Sequence, residues 1–196
     1  LTIRQGYRLN PDMINFENGY YNFLPEQTLE KLIAHIRDIN YEASYYMRTV
    51  QFEKKAAMAA KLAELGGCPA DELVITRNTT ESLDTIIGGF DWKPGDEALM
   101  AEQDYPAMLS MFKQVARPHG VVNKIVSVPN NPSSDEEIVN LYANAITPQT
   151  KLLMICHMIN LTGQILPVRK ICDMAREKGV QVMVDGAHAF GHFKFT

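Results

Sequence analysis

Residues 152–185 read LLMICHMINLTGQILPVRKICDMAREKGVQVMVD, and this stretch decides the fold class. Leu152–Cys156 is apolar without alternation, as expected of a strand buried on both faces. Val168–Lys178 is a candidate helix, and Val180–Val184 is a second apolar run. Working back toward the amino end, further runs stand at Lys124–Val128, Ala98–Ala101 and Leu73–Thr76. Candidate helices lie between them at Glu136–Ala145, Pro106–Arg117 and Glu81–Ile87. Strands alternating with helices predict an α/β fold, a mostly parallel sheet with helices on both faces.

Before residue 67 the texture differs. Leu29, Leu32, Ile33, Ile36 and Ile39 recur at helical spacing from Gln27 to about Ala43. A second helix is expected from about Met47 to Leu65, with Phe52, Ala56, Ala59 and Ala63 on one face and an exit at Gly66-Gly67. An aromatic, turn-rich opening precedes both, with Asn18-Gly19 as a turn and Pro25 as a stop. The expected division is therefore 1–66, an N-terminal segment with two helices, and 67–196, the α/β part.

The chain has 196 residues, 46% of them hydrophobic and 21% charged, which excludes a disordered chain, a collagen repeat and a rod. A net charge of −4 leaves no basic surplus for phosphate backbones, so no nucleic-acid partner is expected. No apolar run approaches the roughly 20 residues that span a bilayer, so no membrane partner is expected either. Cys68, Cys156 and Cys172 form no CxxC pair, which fits buried thiols in a reducing, cytoplasmic compartment. The chain opens at Leu1 and closes at Thr196 soon after an apolar strand, and it is read as part of something longer, with a removed signal segment as one account of its start.

Ligands of open α/β sheets bind beyond the carboxyl ends of the strands. Four such corners carry pointed chemistry. In Arg77-Asn78-Thr79-Thr80-Glu81 a helix begins; Asn78 and Glu81 suit a capping box, while free N–H groups and two hydroxyls also suit an anion. Neither GxGxxG nor GxxxxGK(S/T) is present, so the corner is no standard nucleotide loop. Tyr105, before Pro106, is placed either to pack or to lie flat on a planar ligand. Asn160 either serves its turn or aims an amide into a cleft. Asp185 ends an apolar strand, with Gly186 permitting a close approach, and a carboxylate buried there demands a partner. Asp185, His188 and His192 form a D-x-x-H-x-x-x-H string, but no further ligand cluster accompanies it and no metal is expected; a protonated ring nitrogen answers the demand better.

In this order the corners resemble the class V branch of pyridoxal-phosphate-dependent aminotransferases, isopenicillin-N-epimerase-like and cysteine-desulfurase-like proteins in particular, from about Asn15 to the end. The resemblance implies a fold-type-I large domain, cut before its C-terminal small domain. It implies a pyridoxal 5'-phosphate cofactor and an amino-acid-like substrate processed through an aldimine and an α-carbanion. Thr79 and Thr80, beside Asn78 where a Gly is common, would hold the phosphate. Tyr105 would stack on the ring, Asn160 and His188 would approach its 3' oxygen, and Asp185 would pair with its nitrogen. On this reading Asp185, His188 and Tyr105 are the catalytic positions. Asn18, Gly19 and Tyr20 would contribute to substrate selection, and the active site would lie in a homodimer. The family's Schiff-base lysine falls roughly 20 to 30 residues past the aspartate. Only Lys194 lies in the tail here, out of context, so this stretch alone is expected to be inactive. The alternatives are a desulfurase or selenocysteine-lyase-like enzyme, and a non-catalytic phosphate- or nucleotide-binding module.

Overall fold

The computed structural model describes residues 3–17 and 19–194. The chain divides into Leu1–Ile75 and Thr76–Thr196. In the first unit a short 3-10 turn, Ile3–Gly6, is followed by α1 (Glu26–Glu42). A π-helical turn at Tyr46–Val50 then runs into α2 (Gln51–Gly66). Gly67 ends α2 at φ 69°, a left-handed conformation that costs glycine little. Leu32 and Ile36, on the apolar stripe of α1, are 48% and 58% exposed, so that stripe is left largely uncovered.

The second unit is built on a parallel sheet of β1 (Glu97–Ala101), β2 (Val122–Val126), β3 (Thr150–Cys156) and β4 (Gln181–Asp185), in the order β2-β1-β3-β4. Its helices are α3 (Thr79–Gly89), α4 (Pro106–His119), α5 (Asp135–Ala145) and α6 (Val168–Glu177). Ala98, Met100, Leu152, Met154 and Met183 pack with Leu83 and Ile87 of α3 and Met108 and Phe112 of α4. Leu99, Leu153 and Ile155 pack with Ile138 and Tyr142 of α5 and Ile171 and Ala175 of α6. β1 and β3 are thus covered on both faces, which is why they show no polar alternation, whereas β2 at the end of the sheet leaves Val122 49% and Ile125 52% exposed.

Two strand expectations need correction. Leu73–Thr76 is extended but unpaired among the described residues, with Val74 82% and Ile75 51% exposed. An apolar, β-branched composition favours a strand only where a neighbouring ladder receives it. The second strand ends at Val126, two residues before the expected Val128, because pairing with β1 begins at Glu97↔Val122 and ends at Ala101↔Val126.

From β1 the chain passes through α4 to β2 on one side, then returns through α5 to β3 on the other. The strand order therefore reverses between β1 and β3, and such a reversal opens a crevice at the carboxyl edge.

Candidate functional site at the carboxyl edge of the sheet

At the start of α3, Asn78 Oδ1 accepts the Glu81 N–H at 2.9 Å, an N-cap. Glu81 does not return the bond to Asn78, as a capping box would; it accepts the Arg77 N–H at 2.7 Å and pairs with the Arg77 guanidinium at 3.1 Å. The amides and hydroxyls of Thr79 and Thr80 meet no protein partner among the described residues. They stand at the positive end of the helix, where an anion is favoured. α3 packs against β4, the strand that carries Asp185.

The reversal point is closed from β1 by Asp104 and Tyr105. Tyr105 takes the N-cap position of α4, with Pro106 as the first helical residue, and its ring packs partly buried against the core shared with α3 and α4. Asp104 is 2% exposed. Its Oδ2 accepts the Ala101 N–H at 2.7 Å and its own N–H donates to the Ala101 carbonyl at 3.1 Å. The Cys156 N–H and thiol face the same carboxyl. Burial pushes Asp104 up to about 6, the Ala101 and Cys156 donors pull it down, and the Asp185 charge adds to the rise.

From β3 and β4 come Asn160 and Asp185. Asn160 Oδ1 is buried without a hydrogen-bond partner among the described residues. Asp185 is 6% exposed; Oδ1 accepts the Ala187 N–H at 3.0 Å and Oδ2 faces the Cys156 thiol at 4.0 Å. Neither contact is a cation. Gly186 faces open space, where an added Cβ would meet nothing within 4 Å. His188 is half-buried, and its carbonyl accepts His192 Nδ1 at 2.6 Å.

Tyr105, Asn160 and Asp185 thus follow the carboxyl ends of three parallel strands, β1, β3 and β4, with β3 the common neighbour. Asn78, Thr79 and Thr80 belong to a helix that touches β4. Asn18 lies outside the described residues. Gly19 and Tyr20 belong to the other unit, where the Glu17 carboxylate accepts their N–H groups at 3.0 and 2.7 Å. Sequence reasoning missed Asp104, and it read Cys156 only as a buried thiol, not as its neighbour. An acid beside Tyr-Pro looks like an ordinary turn residue, and its burial follows from the β1–β3 pairing, which no local pattern announces. A cavity of about 880 Å³ beside α6 is lined by Val184, His157 and Phe193 and does not include the residues of these corners.

A family model described as aminotransferase class-V matches residues 23–196. Isopenicillin N epimerase of Streptomyces clavuligerus is 28% identical over 184 residues, which is 93% of this chain and 46% of that protein. A probable cysteine desulfurase of Halobacterium salinarum is 28% identical over 189 residues, covering 91% and 44%. The solved complex of the cystine C-S lyase C-DES with its product cysteine persulfide matches with a TM-score of 0.79 at 26% identity, over 87% of this chain and 46% of that one. The α/β, fold-type-I architecture expected from the sequence is borne out by these likenesses and by the parallel sheet. The chain spans about half the length of the curated relatives it matches.

Proposed function

The chain belongs to the aminotransferase class-V family, and from that premise we propose that its four corners form the cradle of a pyridoxal 5'-phosphate enzyme acting on an amino-acid-like substrate. The observation that carries the reading is Asp185, a buried carboxylate with no cation beside it among the described residues. Such a group is costly until a positive partner arrives, and a protonated pyridine nitrogen is one. The orphaned Asn160 Oδ1 and the open space at Gly186 fit the same ligand.

When bound, the pyridine ring supplies an electron sink for the pair left at a substrate's α-carbon. Asp185 holds the proton on the ring nitrogen. The Thr79 and Thr80 amides and hydroxyls hold the phosphate, aided by the α3 dipole. Tyr105 fixes the plane of the ring, and Asn160 and His188 meet the 3' oxygen.

Within the family an epimerase-like reaction is favoured over desulfuration. What favours it is Tyr105 at the stacking position, where many desulfurases have His. A bare phosphate-binding module leaves Asp185 without purpose. Lys194, nine residues past Asp185, is not proposed as the covalent anchor; these residues contribute the cradle, and by themselves are expected to be inactive.

The proposed assembly is a homodimer, supported by exposed apolar residues of the first unit such as Phe16 at 90% and Tyr21 at 79%. The proposed location is the cytoplasm; no described helix is long and apolar enough to cross a membrane. Substrate contacts by Gly19 and Tyr20 rest on the family resemblance. The test is cofactor titration of the full-length protein, followed by absorbance, and the same titration with Asp185→Asn. The reading requires a cofactor spectrum that changes with the substitution. A protein that takes up no pyridoxal phosphate, or takes it up indifferently to residue 185, overturns it.

A further inference from the structure

Pairing between β1 and β3 ends at Leu99↔Leu153, two residues before β1 itself ends. Beyond that point the Asp104 carboxyl lies between the two strands. It accepts the Ala101 N–H from β1 at 2.7 Å and faces the Cys156 N–H and thiol from β3. The same thiol lies 4.0 Å from Asp185 Oδ2, and Cys156 and Asp185 are direct partners in the β3–β4 register. One thiol proton is thus offered to two buried carboxyls. Facing Asp104 are Cys156 from β3, Asp185 from β4 and Tyr142 from α5, whose hydroxyl is buried without a partner among the described residues.

We propose that Asp104 is a positioning residue which, through the Cys156 thiol, sets how fully the Asp185 charge is left free for a cationic ring. This rests on the reading of Asp185 given above. With Asp104 protonated, its own hydroxyl is a donor, and the thiol turns its proton to Asp185 Oδ2, satisfying part of that carboxylate. When Asp104 releases its proton to solvent, the thiol turns to the new anion. Asp185 then keeps the Ala187 N–H and has an open oxygen for the ring. No bond other than the acid O–H breaks. A thiol has a single proton, so it cannot serve both acids as donor. Both acids are then anions, but Asp185 can take the cationic ring as its partner and Asp104, 2% exposed, cannot, so the thiol proton goes to Asp104.

The experiment is infrared spectroscopy of the Cys156 S–H stretch in the full-length protein, with the other cysteines replaced by alanine. It is paired with the ¹⁵N shift of labelled pyridoxal phosphate bound to the same protein. The S–H band should move between two positions, half complete near pH 6, the value toward which burial drives Asp104. It should stay fixed in Asp104→Asn. The ring ¹⁵N shift should follow the same midpoint, lose that step in Cys156→Ala and regain it in Cys156→Ser, whose hydroxyl carries one proton likewise. An S–H band fixed across the range, or one that still moves in Asp104→Asn, overturns the proposal. So does a ring shift that responds to Asp185→Asn but has no step at the S–H midpoint. A ring shift indifferent to Asp185→Asn overturns the Asp185 reading itself, and is told apart because the S–H band then moves without it.

Discussion

Replacing Asp104 with Asn should change the pH dependence of stability in a direction opposite to that of an ordinary salt-bridged acid. The folded carboxyl is pushed up to about 6 from an ordinary value of 3.8. Between those values the unfolded chain has released the proton while the folded chain still holds it. The folded state binds more protons there, so stability falls as pH rises. The full span corresponds to about 3 kcal/mol at about 1.4 kcal/mol per pH unit. Roughly half of it, or a tenfold change in the folding equilibrium, lies between about pH 5 and pH 8. Asn keeps an oxygen for the Ala101 N–H but carries no titrating proton. Hydrogen exchange at the buried Met100 and Met154 amides reports opening of the sheet, and intrinsic exchange rates cancel when variant and parent are compared at one pH. The ratio of their protection should shift about tenfold in favour of the variant over that range. A constant ratio would show that Asp104 is not the buried, titrating acid described here.

Asp185→Asn should retain the cofactor while slowing steps at the substrate α-carbon at least about 100-fold, about 3 kcal/mol of barrier, in stopped-flow measurements. Thr80→Val should act the other way, weakening cofactor retention about tenfold or more in equilibrium dialysis with little effect on the chemical step, as expected for one lost charge-assisted bond. Asn78→Ala removes the bond to the Glu81 N–H and should cost about 1 kcal/mol in chemical denaturation, whereas Asn78→Gly should cost only a few tenths. Sedimentation of the full-length protein should find a dimer at micromolar concentration; a strict monomer would remove the role given to the exposed aromatic opening.

What the sequence made legible follows from how local each feature is. The runs that became β1, β3 and β4 were readable because burial on both faces leaves unbroken apolar stretches, and the N-cap at Asn78 was readable because it spans three residues. Leu73–Thr76 misled because the same composition was read without a partner strand to pair it. The capping box misled by one residue, since Glu81 found the Arg77 amide together with the Arg77 guanidinium. In the opening segment the turn residue Asn18 drew notice, while the organising group is the Glu17 carboxylate, which accepts the N–H groups of Gly19, Tyr20 and Tyr21. The pairing of Asp104 with Cys156 was invisible for a different reason. Their meeting depends on where the β1–β3 ladder stops, and that is settled by the tertiary fold.

If Asp185 is the partner of a protonated pyridine ring, the two must be in contact in the loaded protein. Diffraction from crystals of the full-length protein grown with pyridoxal phosphate tests it most directly. The ring nitrogen should lie within about 3 Å of an Asp185 oxygen, and the phosphate on the Thr79 and Thr80 amides. A ring seated away from Asp185, or a phosphate held elsewhere than at the start of α3, would contradict it.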